Sequence, residues 1–206
     1  MNKLLLLLFT TGFLFIINKT LAQDTLRNEF LIEVDPIPFI LGGAGGHFSW
    51  SPRSAEHFIF GVSFLAQADL PNAFVNLNDI NKNKGWQVKI NQGLGFYSQY
   101  YFDKNGNSWF AGMQLFTQEM ELKNDQFPGE SDRTNLILLA FQAGYHWYPF
   151  KKTNIFIKPW VGIGYQNVIS GTFDTDNVDP DLDVGTLEYE LPPIMPFATV
   201  HFGYRF

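Results

Sequence analysis

Cysteine is absent from the 206-residue chain, so no disulfide framework can staple the fold and no lipid-modified cysteine can follow an export signal. Basic residues are scarce, with 14 Lys and Arg against 20 Asp and Glu. Without Lys3 and Lys19 of the first 22 residues, 12 basic residues face 20 acidic ones, a formal charge of −8. That balance lacks the clustered Lys and Arg that a nucleic acid requires, and no nucleic-acid partner is expected. Long apolar runs are missing after residue 22, which excludes a transmembrane helix there. A mature chain held in a bilayer must then satisfy its backbone as a closed β-barrel.

The first 22 residues stand apart. Lys3 opens them, and Leu4 to Ile17 is apolar except for Thr10, Thr11 and Gly12. Asn18-Lys19-Thr20 breaks the run, and Thr20-Leu21-Ala22 puts small residues at both positions a signal peptidase inspects. The pattern predicts a secretory signal peptide over 1–22, because the apolar run is shorter than the roughly 20 residues of a spanning helix. Residues 23–206 are then one domain.

That domain alternates with a period of two over long segments. In His57 to Leu70, Phe58, Phe60, Val62, Phe64, Ala66 and Ala68 share a face opposite His57, Ser63, Gln67 and Asp69. In Trp86 to Phe102, Trp86, Val88, Ile90, Leu94, Phe96, Tyr100 and Phe102 oppose Gln87, Lys89, Asn91, Tyr97 and Gln99. Thr134 to Tyr148 sets Ile137, Leu139, Phe141, Ala143, Tyr145 and Trp147 against Gln142, Gly144, His146 and Tyr148. Asn154 to Ile169 sets Ile155, Ile157, Val161, Ile163 and Tyr165 against Lys158, Trp160, Gly162, Gly164 and Gln166. Ser108 to Leu122 is less regular, with Trp109, Ala111, Met113 and Leu115 assigned outward. Such alternation predicts strands, and at this length they exceed the five or six residues usual in soluble sheets.

Short turns (51–54, 103–107 and 149–153) alternate with longer polar connections (70–85, 123–133 and 171–190). That asymmetry belongs to outer-membrane barrels, with short turns on the periplasmic rim and long loops outside. Trp50, Phe102, Trp109, Trp147 and Phe206 lie beside the short turns or the C-terminus, as an interfacial girdle should. Six segments follow residue 57. An even count needs two more, Phe30 to Asp35 and Ile37 to Trp50, reversed at Asp35-Pro36-Ile37-Pro38; one bent strand through Gly42 to Gly46 is the alternative. The expected fold is all-β, an eight-stranded antiparallel up-and-down transmembrane β-barrel.

The last strand places Ala198, Val200, Phe202, Tyr204 and Phe206 on one face and ends on an aromatic. Phe202, Tyr204 and Phe206 resemble the C-terminal signature read by the barrel-assembly machinery. Residues 23–206 are similar to the small outer-membrane β-barrel families of Gram-negative bacteria, and the Leu-Ala-Gln signal ending with the Asn and Phe richness resembles Bacteroidetes proteins. The resemblance implies residence in the cell outer membrane, with outer-membrane lipid and the assembly machinery as partners, and loops 70–85, 123–133 and 171–190 as the surface for an extracellular ligand.

Eight strands enclose an interior that side chains just fill. Parity turns Glu33, Asp35, His47, Ser49, His57, Asp69, Lys89, His146, Lys158, His201 and Arg205 inward. Buried charges persist only when paired, so this mixed set predicts a lumen network, with Glu33 beside Arg205 near the periplasmic rim. The four inward histidines would need to converge within about 2.1 Å of one point to bind a metal, and parity shows no such convergence; no metal and no cofactor is expected. His47-x-Ser49 is similar to a pattern in lipid A deacylase barrels. That family also needs a downstream acid and a site toward the outer leaflet, whereas this pair lies beside a short turn and the nearest acid, Glu56, lies beyond it. Five carboxylates in Asp174 to Asp183 suit calcium in kind, but they lack EF-hand spacing and a supporting Gly, so a solvated loop is the simpler reading. A structural or interaction barrel is favoured over a narrow transporter or lipid-binding barrel, and over an enzyme.

Overall fold

In a computed structural model, residues 28–103, 107–150, 152–171 and 189–206 are described. The signal segment 1–22 and the carboxylate loop Asp174 to Asp183 lie outside them. Eight strands run in order: β1 (Glu29–Val34), β2 (Ala44–Ser51), β3 (Phe58–Asp69), β4 (Trp86–Tyr101), β5 (Ser108–Asn124), β6 (Asp132–His146), β7 (Ile155–Ser170) and β8 (Ile194–Arg205). Each pairs antiparallel with the next, and β8 returns to β1 from Leu31↔Arg205 to Val34↔Phe202, closing an eight-stranded up-and-down barrel. Closure removes the unpaired edges that an open sheet would expose.

The outside is apolar. Phe30, Phe48, Phe60, Phe64, Leu94, Phe96, Leu115, Phe141, Val161, Ile163 and Phe202 are all exposed, far beyond the scattered patches of a soluble monomer. The girdle residues Trp50, Phe102, Trp109, Trp147 and Phe206 are exposed as well. Alternation therefore sorted the two faces as expected over most of the barrel.

Two details depart from the sequence-based expectation. The second strand begins at Ala44 rather than Ile37. Pro36–Ile40 forms a short helix, α1, capped by the Asp35 carboxylate accepting from Ile37 N–H. Proline is at home in a first helical turn, where its missing N–H costs nothing. Gly42 follows at φ +81°, a left-handed conformation suited to glycine, and turns the chain into β2.

The second departure inverts part of a strand. The β3–β4 register runs to Ala66↔Gln92 and resumes at Ala68↔Ile90, and the β4–β5 register shifts between Ile90 and Gln92. Gln67 takes φ 56°, and its amide donates to Asn91 O at 3.4 Å. One extra residue changes which face every later side chain occupies. Trp86, Val88 and Ile90, expected on the lipid side, are instead buried inside, while Asp69 is exposed and Lys89 stands opposite it and Glu121 on the outer wall.

Candidate functional site

The interior is layered. At the short-turn end, Leu31, Ile59, Tyr97, Tyr101, Phe110 and Phe156 form a buried, largely aromatic cluster. At the long-loop end, Trp86, Val88, Ile90, Met120, Leu122 and Leu136 form a second apolar cluster with Val75 of α2 (Asn72–Val75). A polar layer and a cavity lie between them. The lumen is thus only partly the polar network that parity alone predicts, because the irregularity in β4 turns Trp86, Val88 and Ile90 inside and the short-turn end is packed by its own apolar cluster.

Glu33 is the hub of the polar layer. Its carboxylate meets Lys158 Nζ at 2.5 and 2.6 Å, and both side chains are 1% exposed. The register explains the room available: Glu33 stands opposite Gly203, where a Cβ would come within 2.2 Å of the Phe156 ring. Lys158 also donates to Gln99 Oε1 at 3.4 Å and lies 5.6 Å from the Phe110 ring centroid and 5.9 Å from that of Tyr97. A desolvated ammonium gains from aromatic faces as well as from its carboxylate.

His201 holds the second Glu33 oxygen, with Nδ1 at 2.8 Å. Trp160 Nε1 donates to His201 Nε2 at 3.0 Å. An indole N–H can only donate, so His201 Nε2 is the acceptor and Nδ1 carries the proton directed at Glu33. The Lys158 ammonium balances the Glu33 carboxylate, and His201 Nε2 also lies 3.7 Å from Asp35 Oδ2. The chain continues through Gln99, whose Oε1 accepts from Tyr101 OH at 3.1 Å, to His146 Nδ1, 3.1 Å from that hydroxyl. Because the Tyr101 proton is engaged with Gln99, His146 is the donor. Side chains from β6, β4, β7, β1 and β8 are joined in one hydrogen-bonded series across the lumen.

Of the expected network residues, Glu33, Lys158, His201 and His146 come together in this series. Asp35 adjoins it, accepting from Thr199 at 2.7 Å while also capping α1. His47 adjoins it by ring contact, 4.3 Å from the His201 centroid, and makes no hydrogen bond to a described residue. Three expected members are elsewhere. His57 lies in the turn before β3, where it donates to Tyr101 O at 2.6 Å and stacks on the exposed Tyr100 ring. Lys89 is outside because of the register shift. Arg205 stands opposite Leu31, two residues below Glu33, and so reaches Glu29 at 3.4 Å and the Tyr148 ring at 4.7 Å instead of Glu33. Alternation places Gln99 and Trp160 on the inward face but not in the expected network, and Tyr101 and Thr199 join it as well. Parity with Lys158 and His201 was the signal available for Trp160 and Thr199.

Phe202 and Phe206 face outward, and Phe206 N–H is tied to Phe30 O at 2.8 Å. Tyr204 is half-buried, with its ring 5.1 Å from that of Phe206. His47 and Ser49 both face the lumen, but the buried Ser49 hydroxyl has no hydrogen bond to His47, the contact that nucleophile activation needs. Among the described residues no His, Asp and Glu cluster is placed to hold a metal ion.

Above the polar layer is a cavity of about 170 Å³, roofed by Leu70, Phe74, Tyr189 and Leu191 from the long-loop end. Burial pushes the Tyr189 hydroxyl up to about 12.

The exterior, the closure and the packed interior define an up-and-down β-barrel whose surface is inverted relative to a soluble protein. No protein-family model matches the chain, and no curated protein matches its sequence. Among solved structures it is similar to Neisserial surface protein A, at 12% identity and TM-score 0.45 over 86% of this chain and 92% of that one. It is also similar to a major outer membrane protein from Thermus thermophilus, at 14% identity and TM-score 0.43 over 87% of this chain and 100% of that one.

Proposed function

We propose that the chain is an integral outer-membrane β-barrel with a structural or interaction role, its lumen closed to ions by a side-chain plug. The observation that carries this reading is the Lys158–Glu33–His201 cluster, sealed above the aromatic layer with Lys158 and Glu33 each 1% exposed. An ion crossing the barrel would have to part a desolvated pair and the rings beneath it. The apolar exterior, the girdle and the alternation of short turns with long loops support the membrane setting.

In this reading residues 1–22 export the chain, and Phe202, Tyr204 and Phe206 present it to the barrel-assembly machinery. Outer-membrane lipid surrounds it, in an envelope of Bacteroidetes type, and loops 70–85, 123–133 and 171–190 offer the contact surface for an extracellular ligand. The barrel is not an enzyme. Planar-bilayer recording from the refolded protein tests the proposal: the expected trace stays at baseline, and steady single-channel steps would overturn the closed lumen.

A further inference from the structure

We propose that the cavity above the polar layer is a binding site for a small uncharged aromatic molecule carrying one hydroxyl, of the phenol class. The site is built into the strands. Its space exists because inward positions beside it are small, among them Ser63 and Ala140, while Gly45 admits the Pro38 ring of α1 against the wall. At about 170 Å³ it is comparable to the roughly 150 Å³ apolar cavity that stays dry and accepts benzene. A single substituted ring fits that space, whereas a full-length lipid chain does not.

The walls select for a ring. Phe116, Leu138, Met195 and Phe197 supply apolar and aromatic contact, and aromatic pairs gain beyond simple area burial. The lining also selects for one polar group. His47 lines the cavity with its ring free of hydrogen bonds to described residues, and the Gln114 amide donates to Ser63 Oγ at 2.7 Å nearby. An imidazole can accept from a hydroxyl at one nitrogen or donate to it from the other. Charge is selected against. Asp35 is the one charged side chain on the described lining; its Oδ1 accepts from Thr199 and Ile37, and its Oδ2 lies 3.7 Å from His201 Nε2. A carboxylate ligand such as a fatty acid would face Asp35 with no Lys or Arg on the described lining.

The proposal is independent of whether the barrel conducts. The test is a ¹⁹F NMR titration of 4-fluorophenol and fluorobenzene against the full barrel in lipid nanodiscs, with empty nanodiscs to subtract partitioning into lipid. Expected is saturable binding of one 4-fluorophenol per barrel. Ala140→Trp, which fills the cavity, should weaken it at least tenfold, and the milder Leu65→Phe should weaken it less; heat-modifiable gel mobility checks that each variant is folded. His47→Phe keeps the volume and removes the polar partner, so it should weaken 4-fluorophenol about fivefold and leave fluorobenzene unchanged, in line with the modest net value of one hydrogen bond. No saturable binding to the parent, or parent-like binding by both filled variants when folded, would overturn the site. Equal effects of His47→Phe on the two probes would overturn the selection for a hydroxyl.

Discussion

At the scale of the residue, the barrel separates charges that matter from charges that do not. Lys158 and Glu33 are fully buried, so removing one leaves the other desolvated and unpaired, at a cost of about 3–5 kcal/mol. Lys158→Met alone should therefore lower the urea midpoint of the refolded barrel sharply, and adding Glu33→Leu should recover much of the loss. Strict additivity in that double-mutant cycle would rule out the pairing. Arg205→Ala gives the contrast. Its partner Glu29 is 42% exposed and the guanidinium 31%, so the ion pair contributes less than about 1 kcal/mol. The sequence showed that these charges point inward but not which ones meet. Pairing depends on register, and β1–β8 register sets Gly203, not Arg205, opposite Glu33.

Among the elements, β4 carries the clearest lesson. Alternation is a local signal and holds only while the strand stays regular. The adjacent Asn91 and Gln92 put a polar residue on both faces, so alternation is lost at this point, and there the register shifts. β6 and β8 lack such an inversion, and β7 shifts register only near its end, between Leu136↔Val168 and Asn135↔Ser170, so most of their faces were legible. The correction can be measured. In single-tryptophan variants reconstituted into bilayers with brominated lipid chains, Trp86 should escape quenching because it is 4% exposed and internal, whereas Trp109, 65% exposed near the short turns, should be quenched. Strong quenching of Trp86 would restore the original outward assignment.

For the whole molecule, closure was readable because it rests on strand number and on the length of the alternating segments. The layering of the lumen was not, since it depends on helix α1, on the register shift and on loop side chains distant in sequence. Phe206 joins the two views: its N–H bonds Phe30 O while its ring lies exposed beside Tyr204. Deleting Phe206 should sharply lower the folded barrel recovered from the outer membrane while leaving export intact. Parent-like outer-membrane levels of the truncated chain would remove the assembly role from this residue.

The seam between β1 and β8 also bears on how long a folded barrel lasts. β1 is the shortest strand, with six residues, and it joins β8 across a separation of 168 positions between Glu33 and His201. A closure so distant along the chain belongs to the late stages of folding, and contacts made late act chiefly on the rate of escape. Glu33 on β1 bridges His201 on β8 and Lys158 on β7, so the plug is also a latch on the barrel's shortest seam. Lys158→Met should accordingly speed urea-jump unfolding while leaving refolding into lipid vesicles nearly unchanged. If refolding slowed instead, the latch would have to form before the ring closes.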